Sequence, residues 1–229
     1  MNKTIYLNGT EIIIKKSFSV RYAMSYRSMP AFNRLIFNAT KISYNEIRSK
    51  AQEFLEKKRN SDAFNDIRDG GTVLIFGKKK KLNVFSGEKK AFVDTPDSLI
   101  VSLDINKINN AENSENEYYR QLNSVIADFY KIALKRKLNA LVGEEEERTG
   151  IVCDGWEIRS IGSAWGKCIP KDKKIVFSLN LALFAESCIR MVVDHELTHI
   201  LYPDHGKDFH AFMEKICPDY KKINAYLNR

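Results

Sequence analysis

The sequence predicts an α+β protein, with strands gathered toward the N-terminus and helices toward the C-terminus. Three observations carry this expectation. Phe18, Val20, Tyr22 and Met24 are spaced by two, the period of a half-buried strand. Tyr119, Leu122, Ile126, Phe129 and Ala133 trace an apolar stripe at helical spacing. From Trp156 to the C-terminus the pattern reads strand, loop, strand, helix, loop, helix.

Taken in order, Leu35 and Phe37 repeat the strand alternation after a turn signal at Pro30, so a twisted hairpin is expected. Ser43 with Glu46 makes a capping-box signature. Ile47, Ala51, Phe54 and Leu55 then recur at helical spacing up to the basic stop Lys57, Lys58, Arg59. Gly70 and Gly71 open a second strand group, 73–76, 82–85 and 99–103, punctuated by Gly77, Gly87 and Pro96. Residues 106–117 are polar and read as a linker. The long helix that follows is expected to end at Gly143, with Glu144 to Glu147 as a solvated acidic turn. Strands are expected at 156–161 and 174–180 and helices at 187–201 and 206–216, the last closed by Pro218. No internal repeat shows at a fixed period. The organisation expected is a β-rich region with one helix over residues 1–110 and a catalytic region over 111–229, together one unit.

Composition narrows the class. The 229 residues, 44% hydrophobic and 29% charged with 10 Tyr and 13 Phe, fit a folded chain rather than a disordered one. No apolar run approaches the roughly 20 residues of a membrane span, and the first residues lack the apolar core of a secretory signal. A cytoplasmic protein with no membrane partner is expected. Cys153, Cys168, Cys188 and Cys217 form no CxxC pair, which excludes a zinc ribbon and leaves reduced thiols as the default. Lys and Arg number 37 against 29 Asp and Glu, a formal charge of +8, which steers anionic partners such as nucleic acid or nucleotides toward the chain. Lys78 to Lys81 with Lys89 and Lys90 would be the basic patch, or simply a solvated hairpin turn. Composition does not set the oligomeric state.

All four histidines lie between positions 195 and 210. His195, Glu196, Leu197, Thr198 and His199 form HExxH inside an expected helix. Residues i and i+4 project from one face, so two imidazoles can converge on one tetrahedral ion while Glu196 reaches a bound water. Tyr202, Pro203 and Asp204 break the helix, and His205, six residues beyond His199, can swing back as a third ligand. Zn²⁺ is the expected cofactor, with Glu196 as general base. Tyr202 is a candidate hydrogen-bond donor to the substrate or a packing residue, and His210 a candidate substrate contact or a bland surface histidine.

Residues 164–168, Ala-Trp-Gly-Lys-Cys, the strand at 174–180, the run 192–199 and the run 203–209 together resemble the YgjP-like metallopeptidase family, related to the WLM and SprT-like zincins. In that family a WGSC segment precedes a strand and the metal helix, and a PNHSxxFW segment supplies the third histidine. The match in order and spacing covers about residues 156–220 and extends more loosely upstream. The resemblance implies a zincin-like metallopeptidase domain with N-terminal β-hairpins and a helix packed on it, hydrolysing peptide bonds at zinc. It also places Cys168 near the site, as a bystander or a ligand, while Trp165 is a candidate substrate contact or a core residue and Lys167 a candidate substrate contact. Ala164, Lys167 and His210 depart from the Arg, Ser and Trp common at those places, so the resemblance does not carry a substrate preference with it.

A peptide or protein is therefore the expected substrate. Two rivals stand beside it: a metal-dependent phosphohydrolase whose Lys167 holds a nucleotide, and a DNA-associated protease of SprT or WLM type using the basic patch.

Overall fold

The computed structural model describes residues 3–7, 10–16, 22–28, 33–39, 43–59, 66–161 and 164–228, and they divide into two compact units. The first comprises Met1–Leu74 and Lys79–Phe129, the second Ile75–Lys78 and Tyr130–Arg229.

In the first unit, strands β1 (Lys3–Leu7), β2 (Thr10–Lys16), β3 (Tyr22–Ser28) and β4 (Asn33–Ala39) make one sheet in the order β1-β2-β4-β3. The alternation at Tyr22 and Met24 thus lies in β3, while Phe18, Val20 and Pro30 fall outside the described residues. Helix α1 (Tyr44–Arg59) follows. Its start is set as expected: the Ser43 hydroxyl accepts a hydrogen bond from the Glu46 amide at 3.2 Å. Its apolar face, Ile47, Ala51 and Leu55, is buried with Leu7, Ile12 and Leu35 of the sheet.

Strands β5 (Thr72–Ile75), β6 (Lys78–Gly87), β7 (Ala91–Asp94) and β8 (Ser98–Asp104) form a second sheet, β5-β6-β8-β7. Both sheets share one topology: the second strand runs parallel to the fourth, and the third antiparallel to it. A ββββ pattern followed by helix therefore occurs twice, although no residue period reveals it. Strand pairing needs only a compatible alternation, so topology persists where side chains do not. The expected linker contains a short helix, α2 (Ile105–Asn109), capped by Asp104, whose carboxylate accepts from the Lys107 amide at 3.2 Å.

Helix α3 (Ser114–Thr149) is 36 residues long and runs past Gly143. The helix stops instead before Gly150, whose φ of +72° is the left-handed conformation that favours glycine at a helix end. The expected acidic turn is thus the last part of a helix, and Glu145 within it is fully buried. Its carboxylate pairs with Arg148 one turn on and with Arg190, which compensates the cost of taking a charge out of water.

The second unit carries a three-stranded sheet, β9 (Gly155–Arg159), β10 (Gly166–Ile169) and β11 (Lys174–Ser178), in the order β10-β11-β9. β10 is antiparallel to β11, and β9 parallel to it. β10 is thus an edge strand. Helices α4 (Glu186–Leu201), α5 (Lys207–Ile216) and α6 (Tyr220–Leu227) complete the unit. The expected strands and helices all form, with ends moved by one or two residues; β10 is added within the loop expected between the two strands, and α6 after Pro218. Phe177, Leu181, Ile189, Val193, Leu197 and Met213 are almost completely buried, so α4 is anchored on its apolar side and its other side faces the cavity described next. No described helix is long and apolar enough to cross a membrane.

Candidate metal centre

His195 and His199 stand one turn apart on α4, and the loop between α4 and α5 brings His205 to them. The Nε2 atom of His195 lies 3.1 Å from Nε2 of His199 and 3.1 Å from Nε2 of His205. Proton positions decide what this means. Nδ1 of His199 is 3.1 Å from the Tyr202 carbonyl, which can only accept, so the neutral tautomer that suits this contact carries its proton on Nδ1 and leaves the Nε2 lone pair for a metal. Burial, and then the neighbouring imidazoles, push His195 down to about 3, and burial also lowers His205. Both rings stay neutral near pH 7.

Three nitrogen donors thus converge, their ligand atoms all within 4.8 Å of one another, and among the described residues this is the group of three able to hold a metal ion. Zinc–imidazole bonds of about 2.0–2.1 Å in tetrahedral geometry imply nitrogens roughly 3.3–3.4 Å apart, close to the 3.1 Å observed. The donor set fits a divalent ion of the zinc type. Phe209, 1% exposed, braces all three rings, its centroid 5.0 Å from His195, 4.7 Å from His199 and 4.7 Å from His205.

Glu196 follows the first ligand and is 5% exposed. Burial pushes its carboxyl up to about 8, opposed by a hydrogen bond from the Cys168 amide on β10. Room for the carboxylate comes from Gly166. A Cβ there would lie 2.6 Å from both Cγ and Oε1 of Glu196.

Together with Trp165, Gly166, Lys167 and Cys168, the three histidines and Glu196 line a cavity of about 440 Å³. The Cys168 thiol is pushed up to about 11, by burial first and then by the Glu196 charge. Tyr202 and His210 do not line it. The Tyr202 ring packs on Phe212 at 5.8 Å between centroids, and its backbone carbonyl is the partner of His199. His210 is exposed and hydrogen-bonds through Nδ1 with the Tyr220 hydroxyl at 2.8 Å.

Three features escaped the reading of the sequence. Gly166 stood inside a quoted motif, with no signal of what it faces. Asn224 and Asn228, which also line the cavity, were legible only as an i, i+4 pair beyond the last expected helix. The third is the charge cluster behind the metal helix. Arg148 reaches Asp194 at 2.6 Å and the Ile216 carbonyl at 3.0 Å, tying α3 to α4 and to the end of α5. Burial and Glu145 push Asp194 up. Burial alone would do the same to Glu145, but hydrogen bonds with Arg190, Asp194 and Arg148 hold it down.

Two imidazoles on one helix, a third on the next loop and a buried carboxylate beside them define a metal-binding centre of the kind hydrolases use. The family model described as YgjP-like, metallopeptidase domain, matches residues 34–229, most of the chain, and the protein belongs to that family. No curated protein matches the chain. Membership makes it a hydrolase of the metallopeptidase class and implies a divalent metal.

Proposed function

We propose that the protein is a zinc-dependent peptidase in which His195, His199 and His205 hold the ion and Glu196 is the general base. The observation that carries this reading is the convergence of three imidazole nitrogens, with Nδ1 of His199 turned to the Tyr202 carbonyl, beside a buried carboxylate. Zinc held there supplies Lewis acidity toward a water and a scissile carbonyl, and its charge favours the ionised form of the neighbouring carboxylate.

Glu196 takes the water proton on a carboxylate oxygen and returns it to the leaving amine nitrogen, the raised proton affinity of its buried site suiting both transfers. The Cys168 amide orients that carboxylate, and Gly166 leaves it space. β10, with a neighbour on one side only, offers its open edge to an extended peptide backbone. Tyr202 serves through its carbonyl, which sets the tautomer of His199. The four free thiols suit a reducing, cytoplasmic setting.

Zinc-loaded and chelator-treated protein, incubated with a peptide library and separately with nucleoside triphosphates, tests the reading. Peptide cleavage that requires the metal is expected. Hydrolysis of the triphosphates alone, or peptide cleavage that survives chelation, would overturn it.

A further inference from the structure

Two polar side chains lining the cavity are left unused by the metal and the base. Lys167 projects from β10 with an exposed side chain and has no ion-pair or hydrogen-bond partner among the described residues. Asn224 lies on α6. Its orientation follows from a chain of hydrogen bonds. The Trp165 Nε1–H donates to Asn228 Oδ1 at 3.4 Å. An indole nitrogen can only donate, so the Asn228 oxygen faces Trp165 and its nitrogen faces the other way. That Nδ2 donates to the Asn224 carbonyl and to Asn224 Oδ1, at 2.9 Å each. Both Asn224 oxygens are thereby occupied, and the chain ends on an Nδ2 whose two hydrogens have no partner among the described residues.

Both unused groups are donors, and one carries a positive charge. Among the described residues, no acidic side chain apart from Glu196 lines the cavity. A ligand group that accepts from both and is negatively charged fits this lining; a cationic one meets Lys167 and finds no acid to answer it.

We propose that Lys167 and the Asn224 carboxamide bind a carboxylate of the substrate close to the scissile bond, so that the enzyme selects acidic peptides. This rests on the peptidase reading above. The carboxylate belongs either to an Asp or Glu side chain or to the free C-terminus of the substrate. Both sources present the same chemistry to the pocket, and both would be drawn in by a chain of net charge +8.

The test uses zinc-loaded protein and peptides that differ only in carrying Glu, Gln or Lys beside the scissile bond, each with a free and an amidated C-terminus. The Glu peptide should be cleaved with a kcat/KM about three- to tenfold above the Lys peptide, mainly through KM, as suits one partly exposed ion pair with a hydrogen bond. The preference should shrink between about 0.05 and 0.5 M salt. Lys167→Glu should invert the order, and Asn224→Asp should weaken it. If the free-acid peptides are cleaved better than their amides whatever the neighbouring side chain, the bound group is the C-terminal carboxylate. Equal kcat/KM for all three peptides together with no difference between free and amidated ends, or an unchanged order in Lys167→Glu with zinc retained, would overturn the proposal. Titration of binding separates the two readings. Tighter binding of the Glu peptide or of the free-acid peptides without cleavage of any peptide sinks the peptidase reading and sustains the pocket, whereas equal binding of all the peptides, free and amidated, sinks the pocket.

Discussion

Replacing Gly166 by alanine should cut peptide hydrolysis and leave the metal in place. The new Cβ would sit 2.6 Å from Cγ and Oε1 of Glu196 and 2.7 Å from Cδ. Non-bonded carbons meet at roughly 3.5 Å, so about 0.9 Å of overlap must be relieved. The crowded atoms include Cγ, near the root of a side chain that is 5% exposed, so rotation of the carboxylate tip does not resolve it. α4 is packed on its apolar side and β10 is hydrogen-bonded to β11, so the displacement falls largely on the Glu196 carboxylate. A 1 Å misplacement of a reacting group costs about a hundredfold. A loss of about 10- to 100-fold in kcat/KM is therefore expected, or about 1.4–2.7 kcal/mol in barrier height. The assay pairs hydrolysis of a fluorogenic peptide with metal analysis of the same preparation. Wild-type kcat/KM in Gly166→Ala would refute the placement of Glu196 against β10. Loss of zinc in step with activity would mean that β10 positions the ligands rather than the base.

Glu145→Gln should lower unfolding stability by about 3 kcal/mol, since it removes the buried partner of Arg148 and Arg190; a denaturant midpoint shifted by less than the equivalent of about 0.5 kcal/mol would show that the cluster contributes like a surface one. Metal-free protein should lose stability as the pH rises from about 6.5 to about 8. In that window Glu196, raised from 4.5 to about 8 in the folded state, holds a proton that the unfolded chain has released, so unfolding is favoured as protons are withdrawn. His195, lowered from 6.5 to about 3, is neutral in both states by the top of its range and opposes the trend only at lower pH. Denaturant titrations in chelator at the two pH values decide it, and a flat or rising stability would contradict the buried position of the carboxyl.

The histidine cluster was legible because each part of it is local. HExxH needs only the helical period, and His205 needs only a turn at Pro203. The Ser43 cap of α1 was readable for the same reason. What was hidden depends on partners distant in sequence. Glu145 looked like one of four solvated acids, and its burial is decided by Arg190, 45 residues away. Gly143 looked like a helix stop because glycine weakens a helix by about 1 kcal/mol, yet the ion pairs that follow it hold the helix together for another turn and a half. The role of Gly166 is invisible until a strand is laid against α4. The donor at Asn224 appears only once Trp165 and Asn228 are in place.

Zinc content and turnover of Glu196→Gln bear most directly on the assignment of metal ligands and base. The substitution keeps the shape of the side chain and removes its basic carboxylate. Zinc should remain bound at the wild-type level, because His195, His199 and His205 are untouched, while peptide hydrolysis should fall by the roughly hundredfold to ten-thousandfold typical of a lost general base. Retention of most of the turnover would contradict the role given to Glu196, and loss of the zinc would make Glu196 part of the metal site itself.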